Sequence, residues 1–267
     1  MSEPLEIVLT NDDGIDSVGI RALYEELSAV GDVTVVAPAD DQSAVGRSIS
    51  SDVTVREHEL GYAVDGTPSD CVVAAVGNLE PAPDLVVSGC NRGANLGEYV
   101  LGRSGTVSAA VEAAFFDVPA IATSLYVPAG DISYRDVEIT REDFAEATRA
   151  TRFLAERAPQ SGVFESVSLL NVNAPPASGE PAALEATRPS PRYEMDAVEN
   201  GDSVELRDRI WERMDPETLP DPEGTDRRAV VEGRVSVSPI TVPYAGGEPE
   251  ILEGLLGEYT DRPDSRV

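Results

Sequence analysis

The chain has 267 residues, 49 of them acidic against 20 basic, for a formal charge of -29, and every basic residue is an arginine. No basic stripe interrupts this charge, which argues against binding to a nucleic acid polymer, while the 41% of hydrophobic residues spread along the chain argues against wholesale disorder. Dispersed negative charge fits a salt-rich cytoplasm, where a Debye length of roughly 3 Å at molar salt screens self-repulsion; an acidic partner-binding surface is the alternative, but acidic tails come in blocks.

Residues 5–10, Leu-Glu-Ile-Val-Leu-Thr, predict a strand that ends at Asn11-Asp12-Asp13-Gly14. A helical spacing follows, with Ile20, Leu23, Tyr24 and Leu27 on one face and Gly31 as its stop. Val33 to Ala37 predicts a second strand, stopped by Pro38 and followed by a polar loop through Ser43 to Ser50. Thr67-Pro68 has the form of an N-cap with proline at the first helical position, opening a helix that carries Val72, Val73 and Val76. Asp84 to Gly89 is a buried-type strand, after which come a glycine-rich loop from Gly89 to Arg103 and a small-residue helix from Ser104-Gly105-Thr106 to Phe116. Pro119 to Ser124 predicts a strand, Arg141 to Arg157 a helix and Ser166 to Val172 another strand.

Strands alternating with helices over residues 1–173 predict a Rossmann-like, doubly wound, mostly parallel sheet covered on both faces. Residues 174–267 form a second region. Pro175 to Gly224 is rich in Pro, Glu and Asp and reads as an extended arm. Hairpins are expected near Val204 to Trp211 and Val230 to Ile240, packing on a second subunit, and weak helical spacing runs from Glu248 to Tyr259. The N-terminus has no signal-type apolar run and no segment reaches membrane-spanning length, so the expectation is a soluble, cytoplasmic protein without a membrane partner.

Ligands of an open parallel sheet bind beyond the carboxyl ends of its strands. Three unusual loops lie there: Asn11-Asp12-Asp13-Gly14, Asp40-Asp41-Gln42-Ser43 and Gly89-Cys90-Asn91-Arg92-Gly93. Adjacent carboxylates in a cleft repel each other, and keeping both ionised takes a cation or raised pKa values. Asp12 and Asp13 could instead be an N-cap and a turn residue, since Asp-Gly is a common turn. Ser43 and Asn91 favour the cation, because carboxylate, hydroxyl and amide oxygens suit Mg²⁺, Mn²⁺ or Ca²⁺ better than zinc. Such an ion would also let so negative a chain hold a small phosphorylated ligand.

Ser104-Gly105-Thr106 opens a helix after a glycine-rich loop, so its N–H groups and hydroxyls could cradle a phosphate; the alternative is an N-cap with close helix packing. Neither G-x-x-x-x-G-K-[ST] nor G-x-G-x-x-G occurs, which argues against a P-loop ATPase and a Rossmann dehydrogenase. There is no G-x-S-x-G elbow, and the single histidine, His58, lies between Glu57 and Glu59 and reads as a solvated surface residue. Cys71 and Cys90 are too few for a disulfide framework or a four-ligand zinc site and read as small buried residues.

Five ordered runs resemble the SurE survival-protein phosphatases: Leu-Thr-Asn11-Asp12-Asp13-Gly14-Ile15, Val-Ala-Pro38 with Ser43-Ala44, Gly66-Thr67-Pro68-Ser69-Asp70-Cys71, Ser88 through Gly97, and Ser104-Gly105-Thr106-Val107. Thr225-Asp226, Ala229-Val230, Gly233 and Val235 to Pro239 resemble that family's C-terminal motif. The resemblance implies a Rossmann-like core with a protruding, partly swapped arm, and assembly as a homodimer or homotetramer. It implies an acid-phosphatase-like hydrolase that releases phosphate from nucleoside 5′- and 3′-monophosphates with one divalent cation per subunit, Mg²⁺ or Mn²⁺. Asp12, Asp13, Ser43 and Asn91 become the metal ligands. Ser104, Gly105 and Thr106 become the phosphate turn, with Asn95 beside it. With no histidine at hand, Asp12 or Asp13 becomes the proton acceptor.

The stretch between Gly97 and Ser104 is one residue longer than the family pattern, and Gly102-Arg103 stands where a His or Tyr often precedes the serine. Arg103 could serve there as a fork-shaped donor to a phosphate oxygen. A nucleotide-sugar transferase and a non-catalytic nucleotide-binding stress protein are the alternative functions.

Overall fold

Two apolar runs set the centre of the molecule. β1 (Leu5–Thr10) and β5 (Leu85–Arg92) pair in parallel, Ile7 opposite Leu85 and Thr10 opposite Ser88. On the other side of β1 lies β2 (Gly31–Pro38), reached through α1 (Val18–Leu27). The computed structural model describes residues 4–79, 81–128 and 137–242; the helical spacing at Glu248 to Tyr259 lies outside them.

Beyond β2 come β4 (Gly61–Val64) and, antiparallel to it, β3 (Val55–His58). Beyond β5 come β6 (Ala120–Leu125) and β7 (Leu169–Ala174), both parallel. The sheet is completed by β11 (Val235–Ile240), antiparallel to β7, and by the short β8 (Leu184–Ala186). Its nine strands run in the order β3-β4-β2-β1-β5-β6-β7-β11-β8. This is the expected mostly parallel sheet. The order reverses between β1 and β5, which opens a crevice at their carboxyl ends.

The pleat sends alternate residues to opposite faces. Ile7, Leu9, Val35, Leu85, Val87 and Ile121 pack against α1 and α4 (Ala145–Ser161) through Ile20, Leu23, Leu27 and Ala150. Val8, Val36, Val86, Ala120 and Ala122 face α2 (Pro68–Asn78) and α3 (Gly105–Phe115) through Val72, Ala75, Val107 and Val111. Thr67 caps α2 as expected: its hydroxyl accepts from the Asp70 N–H at 3.1 Å, and the Asp70 carboxylate accepts from the Thr67 N–H at 2.8 Å.

In the C-terminal region, the expected hairpin near Val204 is present as β9 (Met195–Asn200) with β10 (Ser203–Asp208). The one expected over Val230 to Ile240 is not a hairpin. Val230 lies in α5 (Asp226–Val231), and the following strand is β11, which returns to the main sheet beside β7 with Val235, Ser236 and Ser238 buried. The β3–β4 hairpin, unexpected, holds His58 half-buried with Nε2 3.4 Å from Asp16 Oδ1, so this histidine is not the solvated residue its neighbours imply. Cys71 and Cys90 are buried and free. No helix among the described residues is long and apolar enough to cross a membrane.

Candidate active site

The crevice is built from the loops that follow β1, β2 and β5. Asn11 Nδ2 closes the first loop by donating to Gly14 O at 2.9 Å and Ser17 Oγ at 2.8 Å. The second loop is tied to the first, since the Gln42 N–H donates to the Asp12 carbonyl at 2.7 Å. β5 stays paired with β6 through Asn91 and Arg92 because Gly89 permits an irregular step: at φ +140°, any Cβ there would lie 2.3 Å from the Thr123 carbonyl oxygen.

These ties bring the predicted acids together in different settings. Asp12 is buried, and its Oδ1 accepts from the Thr106 hydroxyl at 2.7 Å. Burial pushes its carboxyl above the usual range, against the pull of the Thr106 hydroxyl and backbone N–H. Asp13 faces a pocket of about 320 Å³ that it lines with Ser17, Asp41, Ser43, Arg92 and Phe144. Burial first, then the charge of Asp12, raise Asp13 to about 7; the Arg92 N–H, which donates to Oδ2 at 2.9 Å, and more weakly the Arg92 charge act in the opposite direction.

Ser43 joins Asp13 at this pocket. Its hydroxyl donates to Asp41 Oδ1 at 2.5 Å, which orients the oxygen and leaves its lone pairs for another partner. Asn91 is adjacent in sequence to Arg92, whose N–H meets Asp13, and its amide nitrogen donates to Gly93 O at 2.5 Å, which leaves its side-chain carbonyl oxygen free of that bond. Among the described residues no three His, Cys, Asp or Glu side chains gather as a metal cluster. The donors that share the pocket are the Asp13 and Asp41 carboxylates and the Ser43 hydroxyl, hard oxygens that fit a divalent cation of the Mg²⁺ or Mn²⁺ kind, while Asn91 and Asp12 lie beside it and not on its lining.

The predicted phosphate turn sits on the other side of Asp12. Ser104 is the N-cap of α3, its Oγ accepting from the Val107 N–H at 3.1 Å. Gly105 lets the helix approach: a Cβ there would lie 2.8 Å from Asp12 Cβ. Thr106 has its hydroxyl on Asp12, so N-cap and close packing are both realised, and α3 holds the acid in place. Asn95 is buried behind them. Its amide nitrogen donates to Ser124 Oγ at 2.9 Å and Thr106 Oγ1 at 3.3 Å, while its backbone carbonyl accepts from Asn171 at 2.9 Å and Asn173 at 3.0 Å. Asn95 therefore orients Thr106 from behind.

Several residues of this site escaped the sequence reading. Asp41 and Arg92 line the pocket, and the signal for each was adjacency to a predicted ligand, Ser43 and Asn91. Asn171 and Asn173 are buried amides in an otherwise apolar strand, Leu-Leu-Asn-Val-Asn-Ala, and a polar residue at a core position is itself a sign of an internal network. The Arg103 guanidinium lies over Tyr99 and Tyr193.

A family profile described as survival protein SurE matches residues 7–196. The chain is 61% identical over 257 residues to a protein of Natronomonas pharaonis called 5′-nucleotidase SurE, covering 96% of this chain and 100% of that one. A protein of the same description from Haloarcula marismortui is 61% identical over 260 residues, covering 97% and 96%. Among solved structures, the SurE protein from Aquifex aeolicus superposes with a TM-score of 0.74 at 31% identity, covering 96% of this chain and 99% of that one.

Proposed function

The chain belongs to the survival protein SurE family, and from that premise we propose that it is a nucleotidase, a hydrolase that releases phosphate from nucleoside 5′- and 3′-monophosphates. Its relatives carry the description 5′-nucleotidase, and the observation that carries the reading here is the meeting of Asp13 and Ser43 on one pocket, linked to Asn91 and backed by Asp12 on α3.

Asp12, Asp13, Ser43 and Asn91 would hold one divalent cation, Mg²⁺ or Mn²⁺. When bound, such an ion supplies positive charge and polarises a phosphate oxygen. Of the adjacent pair, Asp13 lines the pocket and Asp12 does not, so Asp13 is the one to accept the proton of the attacking water. Asp12 is a positioning acid, fixed by Thr106 and through it by Asn95. The first turn of α3 provides N–H dipoles beside the phosphate, and Ser104 keeps that turn formed. The β9–β10 hairpin, with Val198, Val204 and Leu206 exposed, is the face for a second copy in a homodimer or homotetramer. A salt-rich cytoplasm is the setting that the composition and the relatives from halophilic archaea support.

The test is phosphate release from a panel of nucleoside 5′- and 3′-monophosphates in molar KCl, with Mn²⁺ or Mg²⁺ and with chelator, beside Asp13→Asn. Turnover that needs the metal and is lost in the variant supports the reading. Equal turnover in chelator removes it.

A further inference from the structure

We propose that Arg103, clasped by Tyr99 and Tyr193, forms the wall against which the nucleoside part of a nucleoside monophosphate stacks, and that these residues set the preference for nucleotides over other phosphate monoesters. The inference rests on the phosphatase reading above and names the part of the substrate that the metal and phosphate residues leave unread.

Position comes first. A tight turn delivers Arg103 directly before the N-cap of α3: the N–H groups of Arg103 and Ser104 both donate to the Val100 carbonyl, at 2.8 and 2.9 Å. The same turn borders the loop that carries Ser43, since a Cβ on Gly46 would lie 3.6 Å from Gly102 O and 3.8 Å from Arg103 O. The backbone of Arg103 therefore adjoins the loop that carries Ser43 and directly precedes the helix turn that would meet the phosphate.

Charge comes second. In this acid-rich chain most described arginines lie within ion-pair distance of a carboxylate, Arg21, Arg47, Arg149 and Arg234 among them. Arg103 has no such partner among the described residues. Its guanidinium carbon sits 5.3 Å from the Tyr99 ring centre and 5.7 Å from that of Tyr193, and Nη2 donates to the Tyr193 hydroxyl at 3.2 Å. A guanidinium held by rings rather than acids keeps its charge and most of its N–H donors for a ligand.

Rigidity and exposure come third. Tyr99 and Tyr193 meet edge to face at 5.2 Å, and the Tyr99 hydroxyl is hydrogen-bonded to Asp208. The buried Arg227 guanidinium also lies over Tyr99, at 5.7 Å. Tyr193 is 55% exposed and Arg103 is exposed, so one fixed ring supports a flat cation and a second ring that solvent can reach. A planar base with acceptor atoms on its edge matches a guanidinium and an aromatic face, whereas an alkyl ester has nothing to place there.

The test compares a nucleoside 5′-monophosphate with glycerol 2-phosphate in molar KCl with Mn²⁺, for the wild type, Tyr193→Ala, Tyr193→Phe and Arg103→Ala, with melting temperatures as the folding control. Tyr193→Ala should lower kcat/KM for the nucleotide about tenfold, chiefly through KM, and leave glycerol phosphate within about twofold; Tyr193→Phe, which keeps the ring, should restore most of the loss. Arg103→Ala should reduce the nucleotide reaction more than that of the alkyl ester. Equal losses on both esters, or no loss on either, overturn the proposal. Should the wild type hydrolyse neither ester, the phosphatase reading fails, and equilibrium binding of the same two esters to wild type and Tyr193→Ala decides the wall: equal nucleotide binding by both proteins overturns it.

Discussion

Buried acids are handled in opposite ways at the two ends of this chain. In the C-terminal region Asp221 and Asp226 are enclosed with Arg227, a fully buried guanidinium 3.5 Å from Asp221 Oδ1. Asp226 also accepts N–H donors from Gly97 at 2.7 Å and Ser190 at 3.0 Å. Asp221 has its counter-charge packed beside it, with Arg192 also 3.7 Å away, while Asp226 is held by N–H donors and burial still raises its carboxyl; the cluster fastens the loop before α3 to the C-terminal motif. At the carboxyl end of β1 the arrangement differs. Asp12, Asp13 and Asp41 approach one another with mainly N–H and hydroxyl donors around them, and the effect of Arg92 on Asp13 is smaller than that of Asp12. The fold supplies a buried cation for Asp221, whereas at the β1 acids the nearby arginine acts less strongly than the neighbouring carboxylate, which is where the proposed external cation would sit.

The comparison breaks most visibly at Arg227. Arg227→Ala removes the buried guanidinium beside Asp221, leaving it only the more exposed Arg192 at 3.7 Å, and should lower stability by about 3–5 kcal/mol in denaturant unfolding; a change of a few tenths would mean that Asp221 is not compensated by Arg227 as described. Asp13→Asn should do the reverse. It should lower phosphate release about 100-fold or more without destabilising the metal-free chain. With a folded pKa raised from 3.8 to about 7, Asp13 contributes stability that is complete below pH 3.8 and is lost as pH rises through about 7. The melting temperature of Asp13→Asn in chelator should therefore match or exceed that of the wild type at pH 8.

Gly105→Ala sharpens the comparison from the helix side. The new Cβ must displace Asp12 or α3, for about 1–3 kcal/mol of stability, and phosphate release should fall further than that loss of folded protein explains. The smallest effect is expected at Asp70, an acid satisfied by neutral donors alone. Burial would raise its carboxyl, but the Ser50 and Thr67 N–H and hydroxyl groups outweigh burial and lower it below 3.8. Its contribution is present above pH 3.8 and lost as pH falls through the lower folded value. Asp70→Asn should cost about 1 kcal/mol at pH 7, with the difference from wild type shrinking near pH 3.

Much of this was legible in the residues. Leu5 to Thr10, Val33 to Ala37 and Asp84 to Gly89 are short apolar runs punctuated by Asn, Pro and Gly, and each is a strand of the parallel sheet. Asp13 and Ser43 were predicted from adjacent loops and do share a pocket. The β3–β4 hairpin was not legible, because Val-Arg-Glu-His and Gly-Tyr-Ala-Val are four-residue strands joined by Glu59-Leu60, without the Asn-Gly or Asp-Gly turn that marks a hairpin. β11 was misjudged because its partner, β7, is more than sixty residues earlier in the chain, a pairing that local periodicity does not report. The seat of Asp12 on α3 was equally hidden: Thr106 and Gly105 suggested a phosphate cradle, and only the fold shows that their immediate neighbour is a carboxylate.

The claim that the β1 acids form a cation site is tested most directly by titration calorimetry of Mn²⁺ in molar KCl, where diffuse binding to the acidic surface is screened. One ion per subunit should bind the wild type and Asp65→Asn, a change in an exposed acid paired with Arg56, while Asp13→Asn should bind at least about tenfold more weakly. Equal Mn²⁺ affinity in wild type and Asp13→Asn would contradict the account.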